Sequence, residues 1–188
     1  MFHSAIMTYI RNMLSYVPVW HWVAIGVLSL VITSSFAIGR KIPAYGSIVL
    51  CITTFIVLFL LEETVVIRYC DYLHHGSGFD LAAESNRVFN GNVWGWTQIF
   101  SNFAAFIPLG FFFSEFLASA RWFSARRQLW LATSVGFGLS IVIECLQLLL
   151  RVGFFELTDL VMNTLGAFVG AGMSVLLRRI LRFVRYNN

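Results

Sequence analysis

A hydroxyl, a carboxylate and an amide recur at helical spacing inside one apolar run. Ser140, Glu144 and Gln147 follow i, i+4, i+7, which places them on one helix face, with Arg151 a turn further on. Asp159 and Asn163 are four residues apart in the next apolar run and share a face there. Asn102 lies one turn inside an earlier run, and Glu62 and Glu63 lie near the end of another. Two kinds of chemistry suit this set. In the first, Arg87 and Arg151 hold a phosphate or carboxylate through charge-assisted hydrogen bonds. Asn102, Gln147 and Asn163 then supply neutral donors and acceptors, and Glu144 and Asp159 keep the arginines in place. In the second, Glu144 is a general base with a pKa raised by desolvation, and Asp159 assists it or binds a metal. That pairing suits transfer or hydrolysis at a phosphate or glycosidic centre.

Each of these residues also has a plainer role. Thr158 and Asp159 can cap a helix, where a carboxylate meets the positive end of the dipole. Glu62 and Glu63 can be ordinary charges at a membrane boundary near Arg68. His74 and His75 read as exposed loop histidines, because no third ligand has fitting spacing. Glu144 is the hardest to explain this way: it stands several residues from the end of its run among apolar neighbours. It must be neutral, paired or in contact with water. No P-loop, nucleophile motif or metal-ligand cluster is present, so no cofactor and no metal site is expected. Cys51, Cys70 and Cys145 are too far apart in sequence to suggest a metal or redox pair.

The elements that position these groups follow from composition. Hydrophobic residues make up 59% of the 188 residues and charged residues 12%. A soluble domain carries roughly 25% charged residues, so the surface faces something other than water. A helix needs about 20 apolar residues to cross the hydrocarbon core. Five segments qualify, near Trp20–Ile38, Ala44–Ile67, Gln98–Ala118, Gln128–Leu150 and Thr158–Leu177. The predicted fold is an all-α polytopic transmembrane bundle of about five helices. Pro108 should kink the third helix. Gly166, Gly170 and Ser174 form a stripe of small residues, as do Ala132, Gly136 and Ser140, and such stripes allow helix backbones to approach. These stripes predict that the fourth and fifth helices pack as a hairpin, bringing Glu144 and Gln147 towards Asp159 and Asn163.

Basic residues give an orientation. Arg40 and Lys41, then Arg121, Arg126 and Arg127, then Arg178, Arg179, Arg182 and Arg185 all fall on one side of a five-span chain. The other side receives Arg11, Arg68, Arg87 and Arg151. The positive-inside rule places the C-terminus in the cytoplasm and the N-terminus outside. Asn102, Glu144, Gln147, Asp159, Asn163, Glu62 and Glu63 then all lie in the outer half of the membrane, with Glu115 the main polar exception in the inner half. The basic groups are dispersed between apolar runs and form no patch for nucleic acid. Trp94 and Trp96 close the long loop from Arg68 to Thr97 and suit an interfacial aromatic belt.

Three segments resemble the VanZ-like family of bacterial envelope proteins. Asn102-Phe-Ala-Ala-Phe-Ile-Pro108-Leu-Gly110 is similar to the family's N-x-x-x-F-I-P-L-G. Ser140-Ile-Val-Ile-Glu144-Cys-Leu-Gln147 is similar to S-x-x-I-E-x-x-Q, and Asp159-Leu-Val-Met-Asn163-Thr-Leu-Gly166 to D-x-x-x-N-T-L-G. Gly153 stands where the family usually has an arginine, and Arg151 lies two residues earlier. The resemblance covers residues 87–177. It divides the chain into an N-terminal helix pair with the start of a loop (1–86), a VanZ-like three-helix region (87–177) and a basic cytoplasmic tail (178–188).

The resemblance implies a multi-pass protein of the bacterial cytoplasmic membrane; the family's founding member is linked to low-level resistance to the lipoglycopeptide teicoplanin. The expected partners are membrane lipids and an amphiphilic ligand, such as a lipid-linked cell-wall precursor or a lipoglycopeptide. The expected function is binding of that ligand by an outward-facing intramembrane site. The alternative is a membrane transferase or hydrolase acting on a lipid-linked envelope substrate through Glu144 and Asp159.

Overall fold

A computed structural model describes residues 19–40, 42–66, 93–120 and 123–187. Its regular elements are helices: α1 Val19–Arg40, α2 Ala44–Leu61, α3 Val93–Ser119, α4 Ala125–Leu149 and α5 Leu157–Asn187. A π-helical turn, Glu62–Val66, continues α2. All five α-helices are long and apolar enough to cross a membrane. A bilayer leaves no water to satisfy backbone N–H and C=O groups, and a helix satisfies them internally. This is the all-α transmembrane bundle expected from the apolar runs.

Local residues set the ends. Pro43 precedes α2, where its missing N–H costs nothing. Ser124 caps α4, its side chain accepting from the Arg127 N–H at 3.5 Å. At the other end of α4 the chain turns through Arg151, which has φ of 58°. The Arg151 N–H donates to Leu148 O at 3.2 Å and the Val152 N–H to Gln147 O at 2.9 Å. This is a Schellman closure with arginine at the left-handed position that glycine usually occupies. α3 runs through Pro108 as one helix, so the Ala104 carbonyl loses its intrahelical donor.

α5 is the centre of the bundle. Its most extensive contact is with α3, followed by α4, while α2 packs on α3 and α1 on α2. A Cβ on Gly110 would overlap the Ala167 carbonyl. One on Gly166 would overlap the Phe103 carbonyl, and one on Gly170 the Ile107 carbonyl. The α3 and α5 backbones therefore touch, as small residues permit in a bilayer. The sequence stripe Gly166–Gly170–Ser174 faces α3, not α4 as expected. The second stripe does meet α5: a Cβ on Gly136 would overlap the Ala167 Cβ, and Ser140 bonds Asn163. A stripe of small residues marks a close-packing face without naming the helix that fills it. Phe106, Leu109, Ile143, Ala167, Leu60 and Val65 fill the core beside these contacts. Trp22 of α1 stacks on Phe59 of α2 with ring centroids 5.0 Å apart.

α5 also continues past Leu177, where the apolar run ends, to Asn187. Residues 178–187 contain no glycine or proline to stop it. The basic tail is thus the last turns of α5. Its 31 residues rise 1.5 Å each, so α5 is longer than a hydrocarbon core of about 30 Å.

Candidate functional site

The polar residues of α4 and α5 come together at the end of the bundle that holds the α4–α5 turn. Ser140, Glu144 and Gln147 line the buried face of α4. Asp159 and Asn163 begin the buried face of α5. The Asn163 amide donates to Ser140 Oγ at 2.9 Å, tying the two helices inside the core. Glu144, only 1% exposed, accepts from the Glu156 N–H at 2.9 Å through Oε2. That bond anchors the stretch of chain leading into α5. Both Glu144 and Asp159 have interaction partners, as buried carboxylates must.

The π-helical turn brings α2 into the same region. Gln147 Nε2 donates to the Thr64 carbonyl at 2.8 Å. π-turns expose carbonyls from the regular ladder and recur at functional sites. Beside Thr64, Glu62 is hydrogen-bonded to Nδ1 of His21 on α1. Glu63 differs: its Oε1 is buried and has no hydrogen-bond partner among the described residues. The same is true of Asn163 Oδ1. An unsatisfied buried acceptor costs about 1–3 kcal/mol, so two acceptors at one end of the bundle need an explanation that packing does not supply.

The other expected site residues are placed differently. Asn102 is half-buried on α3, one turn before the core residue Phe106. Arg151 is exposed at the α4–α5 turn, outside the buried cluster, and does not pair with Glu144. Arg87, His74 and His75 lie outside the described residues. Among the described residues no three His, Cys, Asp or Glu side chains gather as metal ligands would.

A second network, at the opposite end, was not anticipated. Arg178 of α5 pairs with Glu115 of α3. It also donates to Gln128 Oε1 of α4 at 2.7 Å. Glu115 accepts from Ser174 Oγ at 2.8 Å and from the Tyr45 hydroxyl of α2 at 2.9 Å. Gln128 Nε2 donates to the Phe123 carbonyl at 2.7 Å. Four helices meet in this closed set, and its donors and acceptors satisfy one another. It behaves as a clamp, whereas the α4–α5 end keeps unfilled acceptors. The sequence signal was faint: Ser174 and Arg178 are i, i+4, but the remaining partners come from three other helices.

The VanZ/LLP1 family model matches residues 47–178. The chain belongs to the VanZ/LLP1 family. The match starts inside α2 and ends at Arg178, so it takes in the π-helical turn, Glu62, Glu63 and every member of both networks except Tyr45 and His21. The VanZ/LLP1 region is therefore wider than the 87–177 stretch carrying the three sequence motifs. Comparison with curated proteins and with solved structures finds no match. Within the VanZ/LLP1 region, the S-x-x-I-E-x-x-Q and D-x-x-x-N-T-L-G segments supply the facing polar residues of α4 and α5. The N-x-x-x-F-I-P-L-G segment supplies Phe106 and Gly110, which pack α3 against α5.

Proposed function

We propose that this VanZ-like membrane protein of the bacterial cell envelope binds an amphiphilic or lipid-linked ligand at the α4–α5 end of the bundle. The observation that carries the reading is the pair of unfilled buried acceptors, Asn163 Oδ1 and Glu63 Oε1, beside the Ser140–Glu144–Gln147 face. Polar groups inside a membrane bundle are costly and mark binding sites or pathways. Acceptors without donors suit a ligand that brings hydroxyl, amide or ammonium hydrogens. Arg151, exposed at the turn, suits an anionic group on the same ligand, and Arg87 is assigned the same role. Asn102 and Gln147 complete the polar lining. Glu144, bonded to the Glu156 N–H, acts through the position of the α4–α5 turn.

The arginine-rich end belongs in the cytoplasm by the positive-inside rule. The site then faces the outer leaflet of the cytoplasmic membrane, where wall precursors and lipoglycopeptides meet. Tolerance of teicoplanin is the cellular readout. Cells carrying Asn163→Ala, Glu63→Gln or Glu144→Gln at wild-type membrane levels should lose the tolerance that the wild-type chain confers. Full tolerance in all three variants would reject the site.

A further inference from the structure

We propose a separate site for an anionic phospholipid, at the opposite end of the bundle, where α4 begins. An open groove of about 510 Å³ is lined there by Phe123, Ser124, Arg126, Arg127, Trp130 and Leu131. Along α4 the lining runs from charged to apolar, Arg126 and Arg127 before Trp130 and Leu131, as a phospholipid runs from phosphate to acyl chain; Phe123, ahead of the helix, packs against Val49, Phe116 and Leu117. Ser124, Arg126 and Arg127 stand at the first turn, where the helix N-terminus adds a positive dipole end. Trp130 and Leu131 stand one turn deeper, about 5–6 Å along the axis. A phosphate thus meets two guanidinium groups and a hydroxyl, while its glycerol and acyl carbons meet an indole and an isobutyl group. Trp130 is 55% exposed, and tryptophan favours the boundary between head groups and hydrocarbon.

Charge selects the ligand. Arg126 and Arg127 are exposed, and neither joins an ion pair among the described residues. Glu115 is the one described carboxylate at this end, and it is taken up by Arg178, Ser174 and Tyr45. The lining therefore holds two uncompensated positive charges and no acidic group. Arginine binds phosphate oxygens through a planar fork of donors. A zwitterionic lipid offers the same phosphate but brings its own cation towards the two arginines. The α4–α5 end shows the reverse bias, with unfilled acceptors on Asn163 and Glu63. The two ends of the bundle are chemically distinct, and this site stands whether or not the other is functional.

The test uses the full chain purified in a neutral detergent and titrated with short-chain phosphatidylglycerol, bound lipid being counted by native mass spectrometry. One phosphatidylglycerol should bind per chain in preference to phosphatidylcholine. Replacing both arginines, Arg126→Gln with Arg127→Gln, removes at least one charge-assisted contact and should weaken phosphatidylglycerol about tenfold. Binding of phosphatidylcholine should stay unchanged. The control, Arg179→Gln with Arg182→Gln, removes the same charge from the end of α5 and should leave phosphatidylglycerol within about twofold of wild type. Equal weakening by both pairs would mean diffuse attraction and overturn the site, as would wild-type binding by the Arg126–Arg127 pair. Inorganic phosphate that displaced the lipid at equal concentration would show an ion site and also overturn it. Should the paired variant unfold, Arg127→Gln alone carries the same comparison. Trp130→Leu, which leaves the charges intact, should weaken both lipids alike.

Discussion

Alanine at six glycines would separate backbone contact from mere helix membership. A Cβ at Gly110, Gly166 or Gly170 would overlap a carbonyl of the facing helix, Ala167, Phe103 or Ile107 respectively. Backbone cannot swing aside as a side chain can, so α3 and α5 must separate or shift. Overpacking of this kind costs about 1–3 kcal/mol. At Gly26, Gly138 and Gly172, by contrast, a Cβ meets no atom within 4 Å. There the same change removes a helix-weakening residue and should stabilise by up to about 1 kcal/mol. The two sets should therefore differ by roughly 1–4 kcal/mol. For a chain of this size each kcal/mol moves the midpoint by roughly 2–4 °C. The assay is thermal unfolding of the six single variants in one detergent. Gly166→Ala melting alongside Gly172→Ala would refute the α3–α5 backbone contact.

Other consequences are open to direct measurement. Arg178→Met leaves Glu115 buried without its charge partner and should cost about 3–5 kcal/mol; adding Glu115→Met should recover part of that loss, and additive losses would show that the two do not act as a clamp. Arg151→Gly relieves the left-handed backbone and should stabilise the chain by about 1 kcal/mol while lowering envelope function. A variant that gains stability and keeps full function would remove Arg151 from the site. A reporter fused after Asn188 should read cytoplasmic, and a cysteine at Gly78 should be labelled from outside. Labelling only after the membrane is permeabilised would reverse the orientation.

The five spans were legible because lipid demands long apolar runs, and nothing in the described chain interrupts them except at their ends. The buried faces were legible where polar residues fell at helical spacing: Ser140, Glu144 and Gln147 on α4, Asp159 and Asn163 on α5. What escaped was whatever depends on which helix faces which. Glu115 and Arg178 are 63 residues apart, and an arginine at the end of an apolar run looks like a stop signal. His21 and Glu62 likewise meet only once α1 packs on α2. The stripe of Gly166 and Gly170 announced close packing, but α3 carries its complementary Gly110 inside a motif read for its proline and asparagine. The positive φ of Arg151 was invisible because the residue type argues against it. Glu63 stood out neither by spacing nor by neighbours. The structure separates it from Glu62 by burying one oxygen without a partner.

The central claim is that the polar cluster at the α4–α5 end holds a ligand and does not merely pack the bundle. Asn163→Leu tests it most directly. Leucine keeps the branching of asparagine at a larger volume, removes the unfilled acceptor and leaves the buried Ser140 Oγ without its amide donor. The lost bond and the overpacking should each cost about 1–3 kcal/mol, so the two forms are compared as folded protein only. The measurement is mass spectrometry of the amphiphiles that co-purify with each form from envelope membranes, at matched amounts of folded protein. Wild type should retain a specific amphiphile carrying hydroxyl, amide or ammonium hydrogens, and Asn163→Leu should lose it while keeping the bulk lipids. Identical sets of retained amphiphiles in the two forms would contradict the account and reduce the cluster to a packing feature.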